Sequence, residues 1–263
     1  MHTAGQKMTN KYKKYMEIGR ELLGSLLFPR RCPVCDELLE PEDVKRGIHS
    51  ICESKLSPVL GAVCMHCGRP LGEDNPRDVK EYCYDCEDKG YHICSSIVQA
   101  KSLYLYKGEI KKAMYRFKYS NKREYADFFG RKAVEKYAWW IKRSGVEVIV
   151  PVPMYKGKQR RRGYNQAETF ARQVSRYLEI PMRANLVSRV VNTAPLKGLD
   201  QLQRKNNLKN AFQLTESVVQ YKCALVVDDI YTTGNTAEAV AHQLLKKGIH
   251  RVYLMTICIG EDT

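Results

Sequence analysis

No stretch of this chain approaches the roughly 18 consecutive apolar residues that a membrane-spanning helix needs. The short apolar run Leu22 to Phe28 is hemmed in by Arg20 and Glu21 before it and by Pro29, Arg30 and Arg31 after it. No small-residue cleavage site follows, so a secretory signal is not expected. Without an export route there is no oxidising compartment to favour disulfides. The ten cysteines of the 263-residue chain are therefore read as reduced, and the protein as cytoplasmic. Acidic residues are also scarce: 29 Asp and Glu face 44 Lys and Arg, a formal charge of +15. A field of that sign favours polyanions (nucleic acid, nucleotide phosphates or an acidic membrane), although a solvated basic surface gives the same count. The glycine-rich lysine signature of a Walker loop is missing too.

Most of the cysteines fall early and in pairs. Cys64-x2-Cys67 and Cys83-x2-Cys86 are separated by fifteen residues, the spacing of a zinc ribbon. A two-residue gap lets both thiolates of a knuckle bend toward one ion, and four thiolates close a tetrahedral, structural shell. Gly68 follows directly, where a tight turn needs positive φ. Upstream, Cys32 and Cys35 form another knuckle, but Cys52 has no cysteine three residues away. His49 stands there instead, which gives a Cys32, Cys35, His49, Cys52 site; ligands exchanged between the two ribbons fit the spacing as well. His66, between two ligands of one knuckle, is expected to be exposed and not a fifth ligand. Cys223 and Cys258 lie in apolar runs and read as small core residues.

Hydrophobic periodicity divides the rest. Tyr12 to Phe28 reads as one amphipathic helix that either docks on the protein or lies on a membrane surface, with docking expected. After Cys94 the pattern becomes an alternation of strand and helix. Ile97 to Tyr106 is a strand, and a helix follows with Ile110, Met114 and Phe117 at helical spacing. Another helix runs from Glu124 to about Lys142, carrying Trp139 and Trp140, one of them expected in the core. Val146 to Val152 is a strand. Gln166 to Leu178 is a helix opened by Asn165, with Glu168 placed for a capping box. Leu186 to Phe212 reads as an irregular loop and a short helix. Cys223 to Asp228 is a strand, Asn235 to Lys247 a helix with Glu238 available to its cap, and His250 to Ile257 a final strand. Such alternation implies an α/β fold with a mostly parallel sheet flanked by helices. The expected domains are 1–28, an amphipathic helix; 29–94, a double zinc ribbon; and 95–263, the α/β domain.

The segment Ala224-Leu225-Val226-Val227-Asp228-Asp229-Ile230-Tyr231-Thr232-Thr233-Gly234-Asn235-Thr236 concentrates the chemistry. A buried strand delivers two carboxylates, then a hydroxyl- and glycine-bearing turn, then a helix. Ligands of parallel sheets sit beyond the carboxyl ends of strands, and a helix start offers unpaired N–H groups to an anion. Carboxylates beside a phosphate cradle make sense for a sugar phosphate: the phosphate takes Thr232, Thr233, Gly234, Asn235 and Thr236, while Asp228 and Asp229 accept from ribose hydroxyls. A second basic cluster, five Lys and Arg within Lys156 to Arg162, follows the strand that ends in Val152 and Pro153.

This segment resembles the diphosphate-ribose motif of type I phosphoribosyltransferases, and the chain as a whole resembles the ComF family of competence-associated proteins. Leu27-Phe28-Pro29-Arg30-Arg31-Cys32 is similar to that family's start. Val150-Pro151-Val152-Pro153 with Arg161-Arg162-Gly163-Tyr164-Asn165-Gln166-Ala167 is similar to its central signature. Thr193-Ala194-Pro195, Leu199, Arg204, Asn207-Leu208 and Ala211-Phe212 are similar to the next block. His49 departs from the usual cysteine and Leu196 from a common glutamine. The resemblance implies a type I phosphoribosyltransferase-like sheet behind a double zinc ribbon, with zinc in two structural sites. It further implies phosphoribosyl pyrophosphate with magnesium as ligand, and Val152, Pro153 and Met154 as a pyrophosphate loop with Lys156, Arg160, Arg161 and Arg162 as counter-charges. It also implies a link to DNA uptake and natural transformation on the cytoplasmic side, with DNA-uptake machinery proteins as partners. Two functions follow. One is a phosphoribosyltransferase; the other is a non-catalytic module whose ribbons and basic surface hold single-stranded DNA or a partner protein.

Overall fold

The structure, a computed structural model, describes residues 29–72, 80–88, 95–191, 211–215 and 220–260. The expected helix from Tyr12 to Phe28, Cys94 and the run from Thr193 to Asn207 lie outside the described residues. The chain divides between Glu53 and Ser54 into two compact units. The first zinc-ligand set therefore lies in one unit, and the second belongs to the unit that carries the sheet.

Four parallel strands form that sheet in the order β1-β6-β5-β2. They are β1 (Gln99–Leu105), β2 (Val148–Pro151), β5 (Cys223–Tyr231) and β6 (Arg251–Ile259). Every residue of β2 is buried, as are Cys223 to Val227 of β5 and all of β6 after Arg251. Strands buried on both faces read as continuous apolar runs rather than alternating ones. The helices are α1 (Glu109–Tyr119), α2 (Tyr125–Arg143), α3 (Lys156–Arg162), α4 (Gln166–Leu178) and α5 (Asn235–Lys246).

On one face of the sheet Val148, Val150, Ala224, Val226, Val252 and Leu254 share a core with Val240, Ala241 and Leu244 of α5 and with the four cysteines of the second ribbon. The alternate residues point the other way, as strand geometry requires. There Tyr253 meets Trp140 of α2 edge-on at 5.6 Å, and α4 packs along β5 and β2. Helices thus cover both faces. Cys223 and Cys258 are buried, as expected of small core residues.

Local features differ from or add to those expectations. The described ends of Leu186 to Phe212 carry strand: β3 (Val187–Arg189) and β4 (Phe212–Leu214) pair antiparallel. The basic run Lys156 to Arg162 is a helix with no buried residue. Asn165 does cap α4, accepting from Ala167 N at 3.1 Å, but Glu168 completes no box and pairs with Arg172 at 2.7 Å. Trp139 is 71% exposed, and Trp140 is half-buried.

Candidate functional site

Within the first unit, the donor atoms of Cys32, Cys35, His49 and Cys52 lie within 4.8 Å of one another. His49 presents Nδ1 to Cys35 Sγ at 3.3 Å, while its Nε2 faces the Leu38 carbonyl at 2.9 Å. A backbone carbonyl on Nε2 selects the tautomer that leaves Nδ1 bare for a metal, the usual arrangement behind a ligating histidine. The second set, Cys64, Cys67, Cys83 and Cys86, is equally tight and wholly buried. Donation from Cys67, Cys83 and Cys86 holds Cys64 far below the ordinary thiol range, while Cys67 is pushed far above it, first by its hydrogen bond to Cys64. Four crowded thiols cannot all ionise unaided; a dication at their centre allows it. Both donor sets fit zinc.

His66 is not a member of the second set, but it is buried rather than exposed. Its carbonyl accepts from Ala100 N at 2.6 Å, so the knuckle is stitched to the edge strand β1. Gly68 completes the join: with φ +74°, a Cβ there would stand 2.5 Å from the Ala100 carbonyl oxygen.

The sugar-phosphate candidates assemble at the carboxyl end of β5, which runs through Asp228 and Asp229 to Tyr231. Gly234 turns the chain into α5 with φ +74°. Thr232 and Thr233 are exposed, and Asn235 and Thr236 half-buried. Glu238 does not serve this cap; its carboxylate accepts from Ser95 Oγ at 2.7 Å and Ser96 N at 2.6 Å. Arg69, held by Asp85 at 2.9 Å, reaches the Thr232 carbonyl at 3.5 Å. The second ribbon therefore braces the turn.

The two carboxylates differ in surroundings. Burial, and then the neighbouring Asp229 charge, push Asp228 up to about 7, although the Asp229 amide donates to it at 2.8 Å. Part of the Asp228 residue still meets solvent, so the group is embedded in protein yet reachable. Asp229 pairs with Lys118 of α1 at 3.2 Å. Around them stand further cations, Lys118, Lys158 and Arg189, which the sequence marks as basic without placing them together. Lys158 is depressed by desolvation and then by Arg162, Arg189 and Lys118, with Asp229 opposing. Arg189 of β3 is depressed by burial, with Asp228 opposing. Of the expected counter-charges, Arg162 joins this group, stacked on Tyr119 at 4.7 Å; Lys156, Arg160 and Arg161 are exposed on α3.

The Gly163 to Ala167 segment positions these parts. Tyr164 Oη donates to the Phe117 carbonyl. Gln166 Nε2 reaches the Phe117 and Lys118 carbonyls at 3.5 and 3.4 Å. Asn165 Nδ2 donates to the Val152 carbonyl at 2.9 Å. One buried polar stretch thus fixes both the end of α1, which carries Lys118, and the start of the Val152, Pro153, Met154 loop.

A family model of the double zinc ribbon domain matches residues 23–87. Competence protein F of Haemophilus influenzae is 44% identical over 108 residues, 40% of this chain and 47% of that protein, so the match spans about half of its length. DNA utilization protein YhgH of Escherichia coli is 29% identical over 215 residues, 81% of this chain and 90% of that one. Competence protein ComFC of Bacillus subtilis is 27% identical over 239 residues, 82% and 89%. Among solved structures, a purine phosphoribosyltransferase from Pyrococcus horikoshii gives a TM-score of 0.33 at 16% identity, covering 50% of this chain and 73% of that one. TT1426 from Thermus thermophilus gives 0.31 at 15%, covering 52% and 85%. Both zinc-ligand sets fall inside the matched ribbon, the sheet follows it, and the chain is similar across most of its length to DNA utilization protein YhgH and competence protein ComFC.

Proposed function

We propose that the protein binds phosphoribosyl pyrophosphate with magnesium at the carboxyl end of β5, transfers its phosphoribosyl group, and serves DNA uptake in transformation from the cytoplasmic side. One observation carries this reading: Asp228 and Asp229 stand beside the Gly234 turn and within the electrostatic reach of Lys118, Lys158 and Arg189. Carboxylates suit hydroxyls and cations suit phosphates, and a phosphorylated pentose bears both. The names of the relatives, competence protein F, ComFC and DNA utilization protein, support the cellular role. No described helix is long and apolar enough to cross a membrane.

In this reading Asp228 and Asp229 accept from the ribose hydroxyls. The amides of Gly234 to Thr236 and the nearby threonine hydroxyls take the 5-phosphate. The Val152, Pro153, Met154 loop receives the pyrophosphate, with Lys158 and Arg162 on its charge. Lys118 neutralises Asp229 until the sugar arrives. The bond from the anomeric carbon to the pyrophosphate oxygen breaks, its electrons leave with pyrophosphate, and an acceptor lone pair closes on the carbon. The protein's part is fixed geometry and preorganised charge. Magnesium suits paired carboxylates and phosphate oxygens as hard donors; when bound it would neutralise charge on the departing pyrophosphate.

Calorimetric titration with phosphoribosyl pyrophosphate and magnesium tests the site. Hydrogen bonds to charged groups contribute about 1.5–3 kcal/mol each, so Asp228→Asn with Asp229→Asn should weaken binding by about a hundredfold or more. The pH dependence follows from Asp228. A free aspartate ionises near 3.8, but this one holds its proton to about 7. Its buried charge thus costs stability progressively as pH rises from 3.8 to about 7. Affinity moves the opposite way, rising as pH passes about 7 and the carboxylate becomes an acceptor. Equal affinity in the double variant would remove the proposal.

A further inference from the structure

Between the second zinc-ligand set and the Gly234 turn stands a side chain that neither the zinc sites nor the sugar-phosphate reading uses. Tyr231, the last residue of β5, is 8% exposed and shares a core with Cys64, Cys67, Cys83 and Cys86. Its phenol packs directly against the turn. A Cβ on Gly234 would stand 2.7 Å from the Tyr231 hydroxyl and 3.0 Å from its ring. Real Cβ atoms do not come so close, so the ring limits where the backbone of the turn can run. The φ of +74° at Gly234 makes the same demand for glycine.

The same phenol lies close enough to the thiols to feel their charge. Burial first, and then Cys67 and Cys86, hold its hydroxyl well above the usual phenol range, with Arg69 opposing. Two further ties run beside it. Arg69, two residues after Cys67, pairs with Asp85 between the other two ligands and reaches the Thr232 carbonyl. The Tyr231 carbonyl accepts from Gly260 N at 2.8 Å, which pins the end of β5. The middle of the turn, Thr232 and Thr233, is exposed and has Tyr231 and Arg69 beneath it. A zinc ion drawing four thiols to one centre would fix the surface on which that ring rests. A loop that must be ordered to hold an anion binds it more tightly when another ligand has already ordered its support.

We propose that Tyr231 is a positioning residue that couples the second zinc set to the Thr232 to Thr236 turn, so that zinc and a pentose phosphate each tighten the binding of the other. The proposal rests on the reading of that turn as the phosphate seat. Coupling between two sites is reciprocal, so the zinc end reports on the sugar end.

Ribose 5-phosphate is the probe, because it offers the turn a phosphate without a pyrophosphate that would itself chelate zinc. The zinc-loaded full chain is placed in competition with a graded chelator, with and without saturating ribose 5-phosphate. Cys35→Ser, which weakens the first set, identifies the ion that belongs to the second. The sugar phosphate should raise the apparent zinc affinity of the second set by about fivefold or more, the scale of ordinary coupling between sites, and leave the first set unchanged. Tyr231→Phe keeps the ring and should keep that factor. Tyr231→Leu removes the ring and should bring the factor to about one while both ions remain bound. A tyrosine with only a packing role would lower melting in Tyr231→Leu and leave the factor as it was. Should Tyr231→Leu fail to fold, the parent and Tyr231→Phe still decide, since loss of the factor in either contradicts coupling through the ring. Calorimetry with ribose 5-phosphate runs alongside. Sugar phosphate bound without a change in zinc affinity, or an undiminished factor in Tyr231→Leu, overturns the coupling alone. No binding of the sugar phosphate overturns it together with the phosphate reading of the turn.

Discussion

The two zinc-ligand sets are chemically near twins, yet the chain gives them different work. In the first, Cys32 and Cys52 are buried while Cys35 and His49 are only half-buried, inside a unit that ends at Glu53. In the second, all four thiols are buried within the core of the sheet unit. Its knuckle shares a backbone hydrogen bond with β1 through His66 and Ala100, and its next residue but one, Arg69, reaches the Thr232 carbonyl. Ligand identity therefore does not set what a zinc site does for a protein; what it is packed against does. The first set organises its own short turns, Pro41–Val44 and Ser50–Glu53. The second packs into the core on one face of the sheet and reaches the turn at Thr232.

The sharpest way to break this contrast is to remove one thiolate from each. Structural zinc contributes on the order of 10–16 kcal/mol of apparent binding energy. Cys67→Ser should forfeit enough of it to lower the melting transition of the sheet unit by about 10 °C or more, since roughly 1 kcal/mol shifts a unit of this size by about 2–4 °C. Cys35→Ser should leave that transition within about 1–2 °C of the parent, on the same scale. Scanning calorimetry on the full chain separates the outcomes. Equal shifts from both variants would mean that the units are not thermodynamically distinct.

The features that the sequence made legible are those written locally. The apolar run of β5, the asparagine cap of α4 and the paired cysteines each state their structure within a few residues. What it left illegible depends on contacts far along the chain. β3 and β4 are three residues each, too short for alternation to show, and they exist because residues far apart in the chain, such as Val187 and Leu214, pair. The α3 run has Lys and Arg without an apolar stripe, so helical spacing had nothing to mark. Lys118 and Arg189 stand 111 and 40 positions from Asp229 in number and only the fold brings them near. Glu238 carried a good cap signal and was claimed instead by Ser95 and Ser96, 143 and 142 residues away. At the site, then, the carboxylates and the turn were readable, and the cations were visible as basic residues, but which of them converge on Asp228 and Asp229 was not.

A gentler test asks whether the histidine ligand makes the first set separable. His49→Ala removes the imidazole whose Nε2 faces the Leu38 carbonyl and whose Nδ1 faces Cys35. Metal analysis of the purified parent should give two zinc ions per chain, one for each four-donor set. The variant should retain the second ion and hold the first at least about 10–100-fold more weakly, the scale of losses seen even when only a supporting partner of a ligand goes. A competing chelator at moderate strength should then strip one ion and leave the other. Two ions held as firmly as before would show that His49 is not a ligand.

The smallest effect probes the link from the second ribbon to the Thr232 turn. Arg69→Ala deletes the ion pair with Asp85 and the contact with the Thr232 carbonyl at 3.5 Å, while leaving all four cysteines in place. A contact of that length is weak, and a half-exposed ion pair contributes about 0.2–1 kcal/mol. The expected loss in phosphoribosyl pyrophosphate affinity is therefore only about two- to fivefold, with zinc content unchanged. Direction matters more than size here. If the ribbon braces the turn, affinity falls while the melting transition barely moves, because a loop has lost its support and the core has not. If affinity holds and only stability drops, the ribbon serves the sheet alone, and the distinction between the two zinc sets reduces to burial.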